Sequence, residues 1–345
     1  MRILLTADPE IPVPPRTYGG IERIIDALTK ALQLRGHHIA LAAHPASTCK
    51  PDVMYPWPAL RSADRIDALR NMRALSNAVA AFRPDVLHSF SRILYMLPLV
   101  RSRLPKIMSF QREPTPRTIF LGNALSGGSL SFTGISDYIS RRGKRAGGNW
   151  RTIYNFVDTD VYQFQSNVPH NAPLVFLSRL ERIKGVHTAI TVARRTGRRL
   201  LIAGNHAESG PERDYWANEI APQIGGAIEY VGPVDDRQKN DLLGQAAALI
   251  VPIEWNEPFG IVFAEALACG TPVISCPRGA LPEIVRPGVD GFLVNSVDEA
   301  CDAVAKIATI HRSACRNRAE ELFSASVVSE QYERLYKDRV ARRDQ

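Results

Sequence analysis

Five cysteines in 345 residues, Cys49, Cys269, Cys276, Cys301 and Cys315, form no metal-binding spacing, and their odd number argues against a disulfide framework. The expectation is a reduced, cytoplasmic protein with no metal site. No apolar run approaches the ~20 residues that a membrane-spanning helix needs. The apolar part of the N-terminal MRILLTADPE is too short for a signal peptide and reads as a first strand. There is no internal repeat and no low-complexity tract. The G-x-G-x-x-G fingerprint of dinucleotide binding is missing, since the turn after the first strand is Gly19-Gly20. No RNP-type aromatic pattern or zinc-finger spacing is present, so nucleic acid is not an expected partner.

What remains is the composition of a globular chain, 45% hydrophobic and 23% charged. Its length suits two domains better than one core. The net charge of +8 is uneven: residues 1–165 hold 22 Lys and Arg against 12 Asp and Glu, whereas residues 166–345 hold 21 against 23. A basic half is either a solubility feature or an attraction for anionic lipid or an acidic partner. The helical stretch 62–82 and Arg61 just before it, with Arg65, Arg70 and Arg73 beside Ile66 and Leu69, make peripheral contact with the inner membrane surface one reading and a solvated face the other.

Residues 3–7 form a continuous apolar run suited to a buried parallel strand. A proline-rich loop leads to Tyr18-Gly19-Gly20, then to a helix with Ile21, Ile24, Ile25 and Leu28 at helical spacing, then to a strand at 39–43. Strands at 85–88 and 106–110 follow, ending at His88 and just before Gln111. The polar stretch after Phe164, with Pro169, Asn171 and Pro173, reads as a linker. The pattern then begins again with strands at 174–177, 200–203 and 228–231, the last followed by Gly232. Strands alternating with helices twice over give an α/β protein of two doubly wound Rossmann-like domains facing across a cleft. The expected bounds are 1–165, 173–323, and a terminal helical segment 324–345 that returns to the first domain.

The most informative stretch is VPIEWNEPFGIVFAEALACGTPVISCPRGALPEIV, residues 251–285. A helix is expected to open at Phe259, with Glu257 just before it and Glu265 about two turns inside. The N–H groups of Gly260, Ile261 and Val262 then fall in the first turn, where no intrahelical acceptor exists. Such a helix start accepts phosphate, and the two carboxylates can accept from hydroxyls. Arg179 and Lys184, in the turn after the strand 174–177, add the forked donor and the point charge that a diphosphate needs. On their own, such glutamates and basic residues are as often plain surface groups.

Glu257-Pro258-Phe259, Glu265-Ala266, Gly270-Thr271-Pro272-Val273 and Pro282-Glu283 together closely resemble the donor-binding segment of retaining family 4 glycosyltransferases, whose two motif glutamates have seven residues between them, as here. Gly19-Gly20-Ile21-Glu22 and Arg179…Lys184-Gly185 are similar to that family's other donor-contacting turns. The resemblance implies the GT-B fold and transfer from a nucleotide diphosphate sugar with retention, with no cofactor and no bound metal. It implies donor contacts from Gly19, Gly20, Arg179, Lys184, Gly232, Glu257, Phe259, Gly260, Ile261, Val262 and Glu265. Arg179 and Lys184 would steady the departing diphosphate, and Glu257 would orient the sugar. Many relatives place a histidine near the sugar where this chain has Gln111, leaving Gln111 and His88 as candidates for sugar or acceptor contact. The loop around Tyr18 is reminiscent of enzymes of the avilamycin-biosynthesis type. A lipid-linked molecule, a glycan or a natural product would each serve as acceptor. Two rival readings are an epimerase or hydrolase of nucleotide sugars with the same fold, and a non-catalytic sugar-nucleotide binder.

Overall fold

The computed structural model describes residues 1–15 and 19–343; Tyr18 lies outside the described residues. Two compact units divide the chain: Phe156–Ser324 forms one, and the chain before it together with the helix Ala325–Arg343 forms the other.

The first unit is built on a seven-stranded parallel sheet: β1 (Arg2–Thr6), β2 (His38–Ala43), β3 (Val53–Pro56), β4 (Val86–Ser89), β5 (Lys106–Phe110), β6 (Leu130–Gly134) and β7 (Trp150–Thr152). Their order is β3-β2-β1-β4-β5-β6-β7. The strand order therefore reverses between β1 and β4, the position where open α/β sheets bind ligands at their carboxyl ends. Both faces are covered, which is why β1 and β2 read as near-continuous apolar runs. On one face Leu75, Tyr95, Met96 and Ile119 pack on Leu4, Leu87 and Phe132.

The second unit holds a six-stranded parallel sheet: β8 (Leu174–Leu177), β9 (Leu200–Ala203), β10 (Ile228–Gly232), β11 (Ala248–Val251), β12 (Val273–Ser275) and β13 (Gly291–Leu293). The order β10-β9-β8-β11-β12-β13 puts its reversal between β8 and β11. Two glycines let the loops at that edge close up. A Cβ on Gly185 would stand 2.1 Å from the Pro252 carbonyl oxygen, and one on Gly204 would stand 1.8 Å from that of Ser178. Each glycine also has positive φ, so a side chain there meets both backbone strain and a collision.

Two sequence expectations shift. The second unit begins at Phe156, ahead of the expected boundary at residue 165. Residues 156–165 are tied to it by Val157 N–H donating to the Phe323 carbonyl, Gln165 N–H to that of Cys269, and Arg316 to that of Tyr162. Arg312, buried, adds a bond to the Gln165 carbonyl at 2.6 Å. The helix expected to open at Phe259 instead spans Ile261–Ala268, because Gly260 takes the left-handed conformation (φ 79°) as its cap. Phe259 serves the core, edge-on to Phe323 at 5.5 Å between ring centroids.

Candidate active site

The loops after β8 and β11 bring sequence-distant charges together at the reversal of the second sheet. Lys184 donates to Glu257 Oε2 at 2.7 Å, with both side chains only about a tenth exposed (9% and 11%). Trp255 Nε1 donates to the same oxygen at 3.0 Å, and the Lys184 ammonium lies 4.5 Å from the Trp255 ring centroid. The carboxylate thus has two donors, and the ammonium has an anion and a π face. The backbone under Glu257 is fixed as well. Ala280 N–H donates to its carbonyl, and a Cβ on Gly279 (φ +61°) would stand 2.2 Å from that oxygen. Gly260 borders the same carboxylate, since its Cβ would stand 3.1 Å from Glu257 Cγ.

Glu265 is anchored separately. Its Oε1 accepts from Tyr162 at 2.7 Å and from Lys239 at 2.6 Å. Burial opposes the charge on Lys239, but Glu265 and Asp236 outweigh it and hold the ammonium above its ordinary pKa. Burial, reinforced by Glu265, pushes the Tyr162 phenol up, so it stays a donor. Arg179 is half exposed and pairs with Glu181 at 2.5 Å. Gly232, at the end of β10, has positive φ and open space where a side chain would stand.

In the first unit the expected residues separate. Gly19 caps the helix Gly20–Leu34 and is packed tightly, since a Cβ there would stand 2.6 Å from Pro15 Cβ and 2.7 Å from Glu22 Oε2. Burial raises the Glu22 carboxyl above its ordinary range. His88, taken from sequence as a candidate for sugar or acceptor contact, is wholly buried (0% exposed). Its Nδ1 bonds Tyr336 Oη and its Nε2 bonds Ser109 Oγ, each at 2.7 Å. Burial lowers its pKa to about 3, so it is a neutral core side chain out of reach of any substrate in this conformation. Gln111 is half-buried and accepts from Asn155 at 2.9 Å, while its Nε2 is buried with no hydrogen-bond partner among the described residues.

Two family models cover almost the whole chain: Glycosyltransferase Family 4 over residues 18–161, and Glycosyl transferases group 1 over residues 158–322. The chain belongs to the family 4 glycosyltransferases. Among curated relatives, a glycogen synthase of Mycobacterium tuberculosis (strain H37Rv) is 35% identical over 147 residues, 40% of this chain and 34% of that protein. A D-inositol 3-phosphate glycosyltransferase of Mycobacterium marinum is 33% identical over 133 residues, 38% and 28% of the two chains. The match thus spans about a third of the length of these relatives. Solved structures share the fold over nearly their whole length. Sucrose-phosphate synthase from Thermosynechococcus elongatus superposes with TM-score 0.78 at 20% identity, covering 99% of each chain. A glycosyltransferase involved in avilamycin A biosynthesis gives 0.73 at 24% identity over 99% and 98%. Anabaena HepE in complex with UDP-glucose gives 0.73 at 18% identity over 98% and 100%. These likenesses show two parallel-sheet α/β domains of GT-B type.

Around the family glutamates, sequence reasoning missed Tyr162, Lys239, Trp255 and Gly279. Trp255 and Gly279 lie within the motif stretch and were open to notice. Nothing local in the sequence pairs Tyr162 or Lys239 with Glu265, which lies 103 and 26 positions away.

Proposed function

We propose that this family 4 glycosyltransferase takes a sugar from a nucleoside diphosphate donor, held by the second unit, and transfers it to an acceptor with retention at the anomeric carbon. The observation that carries the reading is the buried Lys184–Glu257 pair beside Gly260, at the carboxyl edge of the sheet where its order reverses. A fixed ammonium, the Arg179 guanidinium and the first-turn N–H groups of Ile261 and Val262 would meet the negative charge that develops on the departing diphosphate. Glu265, which accepts hydrogen bonds from Lys239 and Tyr162, suits acceptance from ribose hydroxyls. Glu257 suits orientation of the sugar, and Gly232 offers backbone to the base. The acceptor hydroxyl would attack on the face the diphosphate leaves, and the leaving phosphate would take its proton. The chemistry asks only for the cations this chain supplies, so we propose turnover without a bound metal. The complex of the fold neighbour HepE with UDP-glucose supports a nucleotide-sugar donor.

The test is thermal unfolding with a panel of nucleoside diphosphates and their sugars, followed by turnover of the stabilising donor in EDTA and assignment of the product anomer. One base should stabilise the protein and Arg179→Ala should reduce the shift. No stabilisation by any diphosphate, or an inverted product, overturns the reading.

A further inference from the structure

In the first unit, one layer carries most of the exposed apolar surface. The helix Arg65–Phe82, the 3-10 segment Ile93–Leu99 and the helix Pro116–Leu125 share one core on one face of the sheet. Segment and second helix touch, since Ile93 Cδ1 lies 2.8 Å from where a Cβ on Gly122 would stand. Eight of the thirteen large hydrophobic side chains exposed among the described residues fall between Leu60 and Leu125. They include Ile66 and Leu69 on the first helix, Leu94 and Leu97 on the segment, and Phe120 and Leu121, 64% and 57% exposed, on the second helix.

The charge of that stretch has one sign. Residues 60–125 hold eleven Lys and Arg against four Asp and Glu, nearly the whole net charge of the protein. All four acids have local partners. Asp64 caps the helix Arg65–Phe82, Asp67 pairs with Arg70, Asp85 accepts from the Arg2 N–H, and Glu113 pairs with Arg142. Arg65, Arg73, Arg101, Arg103 and Arg117 are exposed.

We propose that this layer docks on an anionic lipid surface, with the leucines and Phe120 entering the boundary between headgroups and acyl chains and the arginines resting on lipid phosphates. Apolar side chains interleaved with positive charge match the two attractions that hold a peripheral protein on such a surface. A protein interface would have a core depleted of charge. A nucleic-acid surface would leave the exposed leucines and Phe120 without a role. Among the described residues no helix is long and apolar enough to cross a membrane, so the contact is peripheral. The proposal stands on the first unit and does not depend on the donor reading.

The full chain is sedimented with vesicles of phosphatidylcholine alone and of phosphatidylcholine mixed with phosphatidylglycerol. Binding should require the anionic lipid and weaken with added salt. Each arginine near the surface contributes about fivefold in affinity, so Arg101→Glu/Arg103→Glu should reduce binding by at least about tenfold. Phe120→Ser/Leu121→Ser should reduce it comparably. Arg195→Glu, in the second unit, should bind as the parent does. Thermal unfolding unchanged in the first-unit variants shows that the fold is intact. Equal binding to neutral vesicles, no binding to either, or unchanged binding of both first-unit variants overturns the proposal. So does a dimer seen by light scattering that Phe120→Ser/Leu121→Ser dissolves, because a second copy would then cover the face.

Discussion

The Lys184 ammonium and the Glu257 carboxylate are 2.7 Å apart although 73 residues separate them in sequence, and both are nearly closed to solvent. An enclosed pair is far more sensitive to loss of one partner than to loss of both, since a lone buried charge has no water to replace its counterion. Lys184→Met should therefore destabilise the second unit by about 3 kcal/mol. Lys184→Met/Glu257→Leu should recover much of that loss. Chemical denaturation of the parent, both single variants and the double variant measures the coupling. Additive losses would show that the two side chains act independently.

The two motif glutamates should fail in different ways. Glu265, braced by Tyr162 and Lys239, is proposed to bind the nucleoside, and loss of uniform binding raises KM. Glu265→Gln should weaken nucleoside diphosphate binding with a modest effect on kcat. Glu257→Gln should leave that affinity nearly intact and lower kcat by about 10²-fold, or ~2.7 kcal/mol. Steady-state kinetics with separate calorimetry of the diphosphate distinguishes them, and the reverse pattern would reverse the roles.

Gly279 supports the carboxylate from behind. A Cβ there would overlap the Glu257 backbone, 2.2 Å from its oxygen and 2.5 Å from its nitrogen, in a left-handed conformation. Gly279→Ala should cost about 1–3 kcal/mol of stability through backbone strain. It should also reduce kcat, because Glu257 must shift. Full activity with an unchanged unfolding midpoint would mean that the loop relaxes freely.

His88 should make the protein sensitive to acid. Burial lowers its pKa to about 3, whereas in the unfolded chain it takes a proton near the ordinary 6.5. The unfolded state therefore binds more protons between those values. Stability from this group is complete above pH 6.5 and is lost as pH falls toward 3, by up to about 1.4 kcal/mol per pH unit. His88→Gln should lower stability at neutral pH and flatten the acid limb relative to the parent. Denaturation midpoints from pH 7 to 4 provide the comparison, and parallel curves would refute the assignment.

The alternating strands and helices were legible because parallel strands buried on both faces must be apolar throughout, as in β1, β2, β8 and β11. The edge strands β3 and β13 were not. β3 is only half-buried and ends in proline, and β13 has three residues, so neither shows a marked pattern. The glutamate segment was legible from its local chemistry, but its helix start moved because Gly260 caps the helix in a left-handed conformation and Phe259 packs on Phe323. The fate of His88 lay beyond any local reading. Tyr332 and Tyr336, which bury it, arrive from a helix more than 240 positions later. Distance along the chain similarly hid Tyr162 and Lys239 from Glu265.

The pairing of Val157 with Ser324 has a consequence for how the chain assembles. The second unit is an insertion, continuous in sequence, whose two ends meet side by side. The first unit is discontinuous and needs the helix Ala325–Arg343 to place Tyr336 on His88. If the insertion were unfolded, recruiting that helix would mean closing a loop of roughly 170 residues, an entropic cost on the order of 4–5 kcal/mol. Once the insertion has folded, its joined ends act as a short tether and most of that cost disappears. Consolidation of the segment around His88 should therefore wait on the insertion, and synthesis from the N-terminus delivers the parts in that order.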